Sequence, residues 1–453
     1  MHKNYEKQRS FMEPAPVHPK AKEFEIIDQI LDENPNIYNS AFQDLTKGTK
    51  QSKGAKGMSA EQVVRAALIK HIEQCSYSEL SFHIADSRTY RNFCKIGFGD
   101  KTFKKSALQK NIKALSAETW KEIHNIVLSY AQDNKIEDGH KVRIDCTVVE
   151  SNIHAPYDSE LLWDSVRVLN RLLSRAKENL AGIDFPYRNH TRRAKRRALN
   201  VTYAKNAKAR NDAYKDLLKV TKKVISYSDS AIPEIKSYPA VDAQQMVIAV
   251  DLLEKLEHYL PLTLKVVDQT ERRINHGETV PAAEKVVSIF EEHTDIIRKD
   301  RRDTYYGHKI CLTGGASNLI LDCLILDGNP ADSTLTEEMF NRLNEIYNRY
   351  PKKAALDGGF ASQLNLEKAK SNGIKDVCFA KGKGLEIEDM CKSNYVFKKL
   401  RKFRAGIESG ISWLKRSFGL TKCLWKGLDS FKSYVWSSIV SANLLTIARK
   451  QMS

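Results

Sequence analysis

The run Lys141–Ser151, KVRIDCTVVES, reads as a β-strand, and the next β-pattern begins only at Thr304. Val142, Ile144, Cys146 and Val148 alternate with Arg143, Asp145, Thr147 and Val149, the period of two that a strand imposes. A strand needs partners for its N–H and C=O groups, so the fold must join this one to strands far along the chain. Between them, residues Glu160–Glu292 carry helical patterning with loops near Gly182, Pro233, Pro239 and Gly277, and no β-pattern. That section is an insertion between two strands of one sheet. Asp is disfavoured in strands, so Asp145 is either a solvent-facing residue of an edge strand or a ligand held on a rigid element.

The charge says what the chain meets. Lys and Arg number 73 against 56 Asp and Glu, a net charge of +17 and a pI near 9.3, which points to a polyanionic partner. The excess is uneven: Arg171–Lys223 holds sixteen Lys and Arg against four acids, a local +12, with Arg192, Arg193, Lys195, Arg196 and Arg197 at its densest part. No run of 18 apolar residues and no apolar leader segment are present, so neither a membrane span nor export is expected, and the chain should work in the cytoplasm, on the nucleoid. Eight cysteines without a CxxC pair read as reduced, buried thiols, with no structural zinc expected.

Before the first strand, residues 1–20 carry Pro14, Pro16 and Pro19 and read as a loose tail. Residues 21–135 then show short amphipathic helices. Ser59 with Gln62 forms a capping box ahead of VVRAALIKHIEQ, YSELSFHIAD follows, and FKKSALQKNIKALS is basic. A series of short helices with one cationic member suits a helix-turn-helix, with Ser106, Gln109, Lys110 and Lys113 toward the groove; an ordinary helical bundle is the other reading.

After the insertion, YGHKICLT and LILDCLILD form a hairpin around GGAS, Thr334–Arg349 is an amphipathic helix, and KKAALDGGFAS is a short strand ending in Asp357 before two glycines. DVCFA is one more strand, Tyr395–Leu420 a long basic helix, and Leu428–Arg449 a closing helix. On the basic helix, at about 100° per residue, Arg404, Glu408 and Lys415 share one stripe, a lone carboxylate among cations. The resulting order, with domains at 21–135, 141–159 with 300–453, and 160–299, is an α/β ribonuclease-H-like mixed sheet with a long helical insertion after the first strand and an all-α N-terminal domain. In that fold, acids belong on the middle of the first strand, at the end of the fourth and on the helix after the fifth. Asp145, Asp357 and Glu408 occupy those places.

On RIDCTVVESNIH, YGHKICLTGGASNLILDCLILDGNPADS, ALDGGFAS and FRAGIESGISWLKRSFGL, the sequence resembles the DDE transposases of bacterial insertion sequences whose glutamate helix carries a Tyr-Arg-Glu-Lys signature. Arg404, Glu408 and Lys415 stand at the signature's spacing, with Arg401 in the tyrosine's place, so no tyrosine role carries over. The resemblance implies a DNA transposase that cleaves and transfers strands. It implies Asp145, Asp357 and Glu408 as catalytic residues and as ligands of two Mg²⁺ or Mn²⁺ ions, Asp145 bridging them. Arg404 and Lys415 would hold phosphate. Its partners would be double-stranded DNA, as terminal inverted repeats and target, with a homodimer or higher oligomer joining the ends. Two other readings remain: a catalytically inactive, domesticated DNA-binding protein, and a ribonuclease-H-like nuclease. Asp327 competes for the second acid position. His154, His308 and Asn152 read as structural residues, and Trp163 and Trp413 as core rather than as platforms for a displaced base.

Overall fold

The computed structural model describes residues 17–48, 57–97, 99–299, 303–381 and 383–453. The tail expected over residues 1–20 lies largely outside them. The chain forms two compact units: one of residues through 149 with 309–326 and 330–453, the other of residues 150–308 with 327–329.

Among the described residues the first unit begins with seven helices, α1 (Pro19–Glu33), α2 (Ile37–Thr46), α3 (Ala60–Ile72), α4 (Tyr77–Asp86), α5 (Arg88–Phe93), α6 (Lys105–Ala114) and α7 (Ala117–Asp133). The capping box expected at Ser59 and Gln62 is present, and Ser76 with Glu79 makes a second one at the start of α4. Strand β1 (Lys141–Glu150) follows and leads out of this unit.

In the second unit α8 (Asp158–Asn179), α9 (Thr191–Thr202), α10 (Ala207–Lys236) and α11 (Ala243–Asn275) pack around their own apolar core. Leu161, Leu162, Val166, Leu169 and Leu173 of α8 recur at helical spacing and are buried there. Pro233, expected to mark a loop, lies inside α10. Only three residues of the helix follow it, so the lost N–H bond interrupts little. On α9, Ala194, Ala198 and Val201 face inward while Arg192, Arg193, Lys195 and Arg196 are exposed. Strand β2 (Asp295–Lys299) was not expected from the sequence; it pairs antiparallel with the first residues of β3 (Asp303–Gly314).

The second half of β3 returns to the first unit and pairs antiparallel with β4 (Ile320–Ile325) across the Gly-Gly turn. Then come α12 (Thr336–Tyr347), β5 (Lys353–Leu356), α13 (Gln363–Ser371), β6 (Asp376–Phe379), α14 (Ile387–Met390), α15 (Asn394–Ser417) and α16 (Leu428–Met452). The strand order is β2-β3-β1-β5-β6, with β4 also on β3; β5 runs parallel to β1, and β6 parallel to β5. This is the ribonuclease-H-like arrangement. Strand β1 is interior, so an edge position does not account for Asp145. Arg143 and Thr147, which alternation would send to solvent, are buried.

Helix α16 is buried nearly all round, and α1, α3 and α7 pack against it along with β4. The N-terminal helices and the sheet therefore share one core. Polar pins fix the joint: Asn443 accepts from Ile320 N and donates to Ile320 O at 2.9 and 2.7 Å, and the His71 ring sits between the hydroxyls of Ser437 and Ser438. Burial holds His71 well below the ordinary histidine range, so it is a neutral hydrogen-bonding ring.

Candidate active site

The register of the sheet brings two acids side by side. Ile144 of β1 pairs with Leu356, the last residue of the parallel β5, so Asp145 on β1 and Asp357, which caps the turn just after β5, follow side by side. Helix α15, which packs on β5 and β6, carries the third acid. Its Ser393 N-cap accepts from Val396 N, and Val396, Phe397, Leu400, Ile407 and Leu414 form its buried stripe. Arg404 and Glu408 flank that stripe.

One guanidinium joins all three acids. Arg404 Nη2 lies 2.9 Å from Asp145 Oδ2 and 3.3 Å from Asp357 Oδ1, while Nη1 donates to Glu408 Oε1. The side chains of Asp145 and Arg404 are each 15% exposed, Asp357 41% and Glu408 60%, so the cluster has a floor at Asp145 and a mouth at Glu408. Asp145 Oδ1 also accepts from Cys146 N at 2.8 Å, which fixes the carboxylate at the floor.

The donor set is all carboxylate oxygen, the kind a hard divalent cation takes, and all three acids meet the Arg404 guanidinium. Among the described residues no three acids, histidines or cysteines stand ready as a metal cluster; these carboxylates are spaced by Arg404, whose positive charge occupies their shared centre. A fourth acid stands behind the Asp357 turn. Asp332 pairs with Lys309 at 2.6 Å, and a Cβ on Gly359 would stand 2.7 Å from its Oδ2, so the second glycine of Asp-Gly-Gly makes room for it. Asp332 and Lys309 were not singled out from the sequence. The acid at the end of DGNPADS, just before a helix start, was the available signal.

Other expected residues lie elsewhere. Lys415 lines a separate hollow with Lys70, Gln74 and Trp425. On α6, Leu108 and Ile112 are buried, Ser106, Gln109 and Lys110 are exposed, and Lys113 reaches over the Trp425 ring at 5.8 Å. Asp327 and His154 belong to the second unit, where His154 lies 3.0 Å from Asp164 and 2.9 Å from Glu160. His308 does as well, hydrogen-bonded to His293 at 2.8 Å. Trp413 stands edge-on to Phe418, and Trp163 lies under Arg167.

A family model described as Transposase DDE domain matches residues 261–444, and one described as Transposase domain (DUF772) matches residues 14–114. The chain belongs to the DDE transposases. No curated protein and no solved structure matches the transposase. The DDE-domain match takes in Asp357, Arg404 and Glu408 but begins beyond Asp145, which lies on the other side of the helical insertion. Asp145 is tied to the other two acids by the β1–β5 register and by its bond to Arg404. Among the described residues no helix is long and apolar enough to cross a membrane.

Proposed function

We propose that this transposase cleaves the ends of its insertion sequence and transfers them to target DNA at a centre built from Asp145, Asp357 and Glu408. The observation that carries this reading is the contact of one guanidinium with all three carboxylates. Three acids carry more negative charge than the one Arg404 neutralises and repel a phosphate strand, so bound divalent ions would let DNA approach them. Mg²⁺ or Mn²⁺, as a pair, supplies activation of the attacking oxygen and neutralisation of the leaving one.

The residues then divide the work. Asp145, fixed by its backbone bond on an interior strand, would hold the ions at the floor. Asp357 and Glu408 hold the two sides. Arg404 gives up the carboxylates and turns its planar fork to a phosphate oxygen of the strand. Water attacks the phosphodiester at the element end, its proton leaves, and the P–O3′ bond breaks to free a 3′-hydroxyl. That hydroxyl next attacks a target phosphodiester, forming the new joint and releasing a target 3′-hydroxyl. Lys415, the exposed Lys110, Arg192, Arg193, Lys195 and Arg196 and the half-buried Lys113 and Arg197 of α6 and α9 hold the DNA backbone. Joining two ends calls for at least two protomers.

The test is a plasmid reaction with Mg²⁺ and the element's end sequences, read by sequencing the junctions. Wild type should cleave and join. Asp145→Asn, Asp357→Asn and Glu408→Gln should each lose cleavage by roughly 10³-fold or more while end binding stays near wild type. Replacing Arg192, Lys195 and Arg196 together by Gln should weaken binding to end and unrelated DNA alike. Cleavage without joining would identify a nuclease. Full activity in all three acid variants would remove these acids from the chemistry.

A further inference from the structure

Two residues before Asp145, on the same side of β1, lies a buried cation that the chemistry above does not use. Arg143 is 5% exposed and, among the described residues, spends its fork on neutral acceptors: Nη1 donates to Phe403 O at 3.1 Å and Nη2 to Asn318 Oδ1 at 2.5 Å. Its guanidinium carbon lies 4.8 Å from the centre of the Phe403 ring. Burying a charge against neutral partners is costly, and a hydrophobic side chain of that volume would serve packing better. Burial loosens the guanidinium's proton, and the nearby Glu137 carboxylate works against that loss.

Both ends of the clamp are themselves fixed. Asn318 takes a left-handed conformation, φ 71°, in the β3–β4 turn. The buried Glu137 anchors that turn by accepting from Ser317 N at 2.7 Å and Ser317 Oγ at 2.5 Å. On the helix side the decisive position is Gly406. A Cβ there would stand 1.9 Å from Arg143 Nη1 and 2.8 Å from its guanidinium carbon. Glycine inside a helix is unfavourable relative to alanine, so α15 bears a penalty at the point where Arg143 enters. At Gly410, one turn on, a Cβ would meet nothing within 4 Å.

We propose that Arg143 is a positioning residue for strand cleavage and transfer: seated in the slot left open by Gly406, it sets the register of α15 on β1 and so the place of Glu408 beside Asp145 and Asp357. Phe403 and Gly406, which it grips, bracket Arg404 and lie less than two turns from Glu408. A slip of α15 along its axis would carry Glu408 away from the two strand acids, which are locked together by the sheet. The proposal rests on the reading of these acids as the catalytic set.

The test uses full-length Arg143→Met, Gly406→Ala and the double variant, with wild type and Glu408→Gln beside them. It measures the melting temperature, end binding, single-turnover cleavage with Mg²⁺, and Mn²⁺ affinity by calorimetry. Methionine removes the charge and fork while keeping an unbranched apolar stem. Arg143→Met should fold and bind ends as wild type does, cleave about 10²-fold more slowly, and bind Mn²⁺ about 10-fold more weakly. Gly406→Ala should lower the melting temperature in the wild-type background and raise it in the Arg143→Met background, because alanine is the better helix former once the slot is empty. Cleavage at the wild-type rate by Arg143→Met overturns the proposal. So does a slow rate matched by loss of folded protein in both Arg143→Met and the double variant. If wild type does not cleave, or Glu408→Gln cleaves normally, the reading of the acids fails; if both controls behave and Arg143→Met is fast, only the positioning role fails.

Discussion

Arg404 is the residue on which the candidate centre turns, because it is the counter-ion of three carboxylates at once. Removing it leaves those acids to repel one another until a cation arrives. Arg404→Gln is therefore expected to melt lower than wild type in EDTA and to gain more from Mg²⁺, by roughly 2–4 °C in added shift, since ligand binding to the folded state raises stability by mass action. Equal Mg²⁺-induced shifts in the two proteins would show that Arg404 and the ions do not share a place. Asp145 was legible because an acid inside a β-pattern needs a reason, and Glu408 because it is one carboxylate on a cationic stripe. Arg143 was not legible. Alternation assigns it to solvent, and only packing against Gly406 reveals why a charge is buried there.

At the scale of elements, the long strands and helices followed from period and caps, while β2 escaped notice because its short run DIIRK offers little alternation. Pro233 misled too: it lies inside α10, and the helix runs three residues past it to Lys236 before it ends. The loop before α8 carries a titration of its own. His154 hydrogen-bonds to the buried Asp164 and faces Glu160, and these contacts, the Asp164 bond foremost, push its pKa up to about 9. A histidine raised in the folded state contributes its full stabilisation below the unfolded value near 6.5 and loses it as pH rises through 9. Melting temperature should accordingly fall between pH 6.5 and 9, and His154→Gln should flatten that fall. An unchanged slope in the variant would assign the pH dependence to other groups.

Across the whole molecule, a four-helix unit interrupts a ribonuclease-H-like sheet between its first and second strands and carries the densest positive charge of the chain. The insertion separates Asp145 from the other acids in sequence without separating them in the sheet, because parallel pairing of β1 with β5 depends on register rather than on chain distance. Element order made this legible before any contact was seen. The partnership of the N-terminal helices with α16 was not, since a helix buried all round shows no amphipathic face to match. The most direct test of the account is anomalous diffraction from crystals of the transposase with element-end DNA and Mn²⁺. Manganese peaks should lie among Asp145, Asp357 and Glu408, with Arg404 turned to a phosphate; peaks held by other residues, or Arg404 still bonded to the three acids in a cleavage-competent complex, would contradict it.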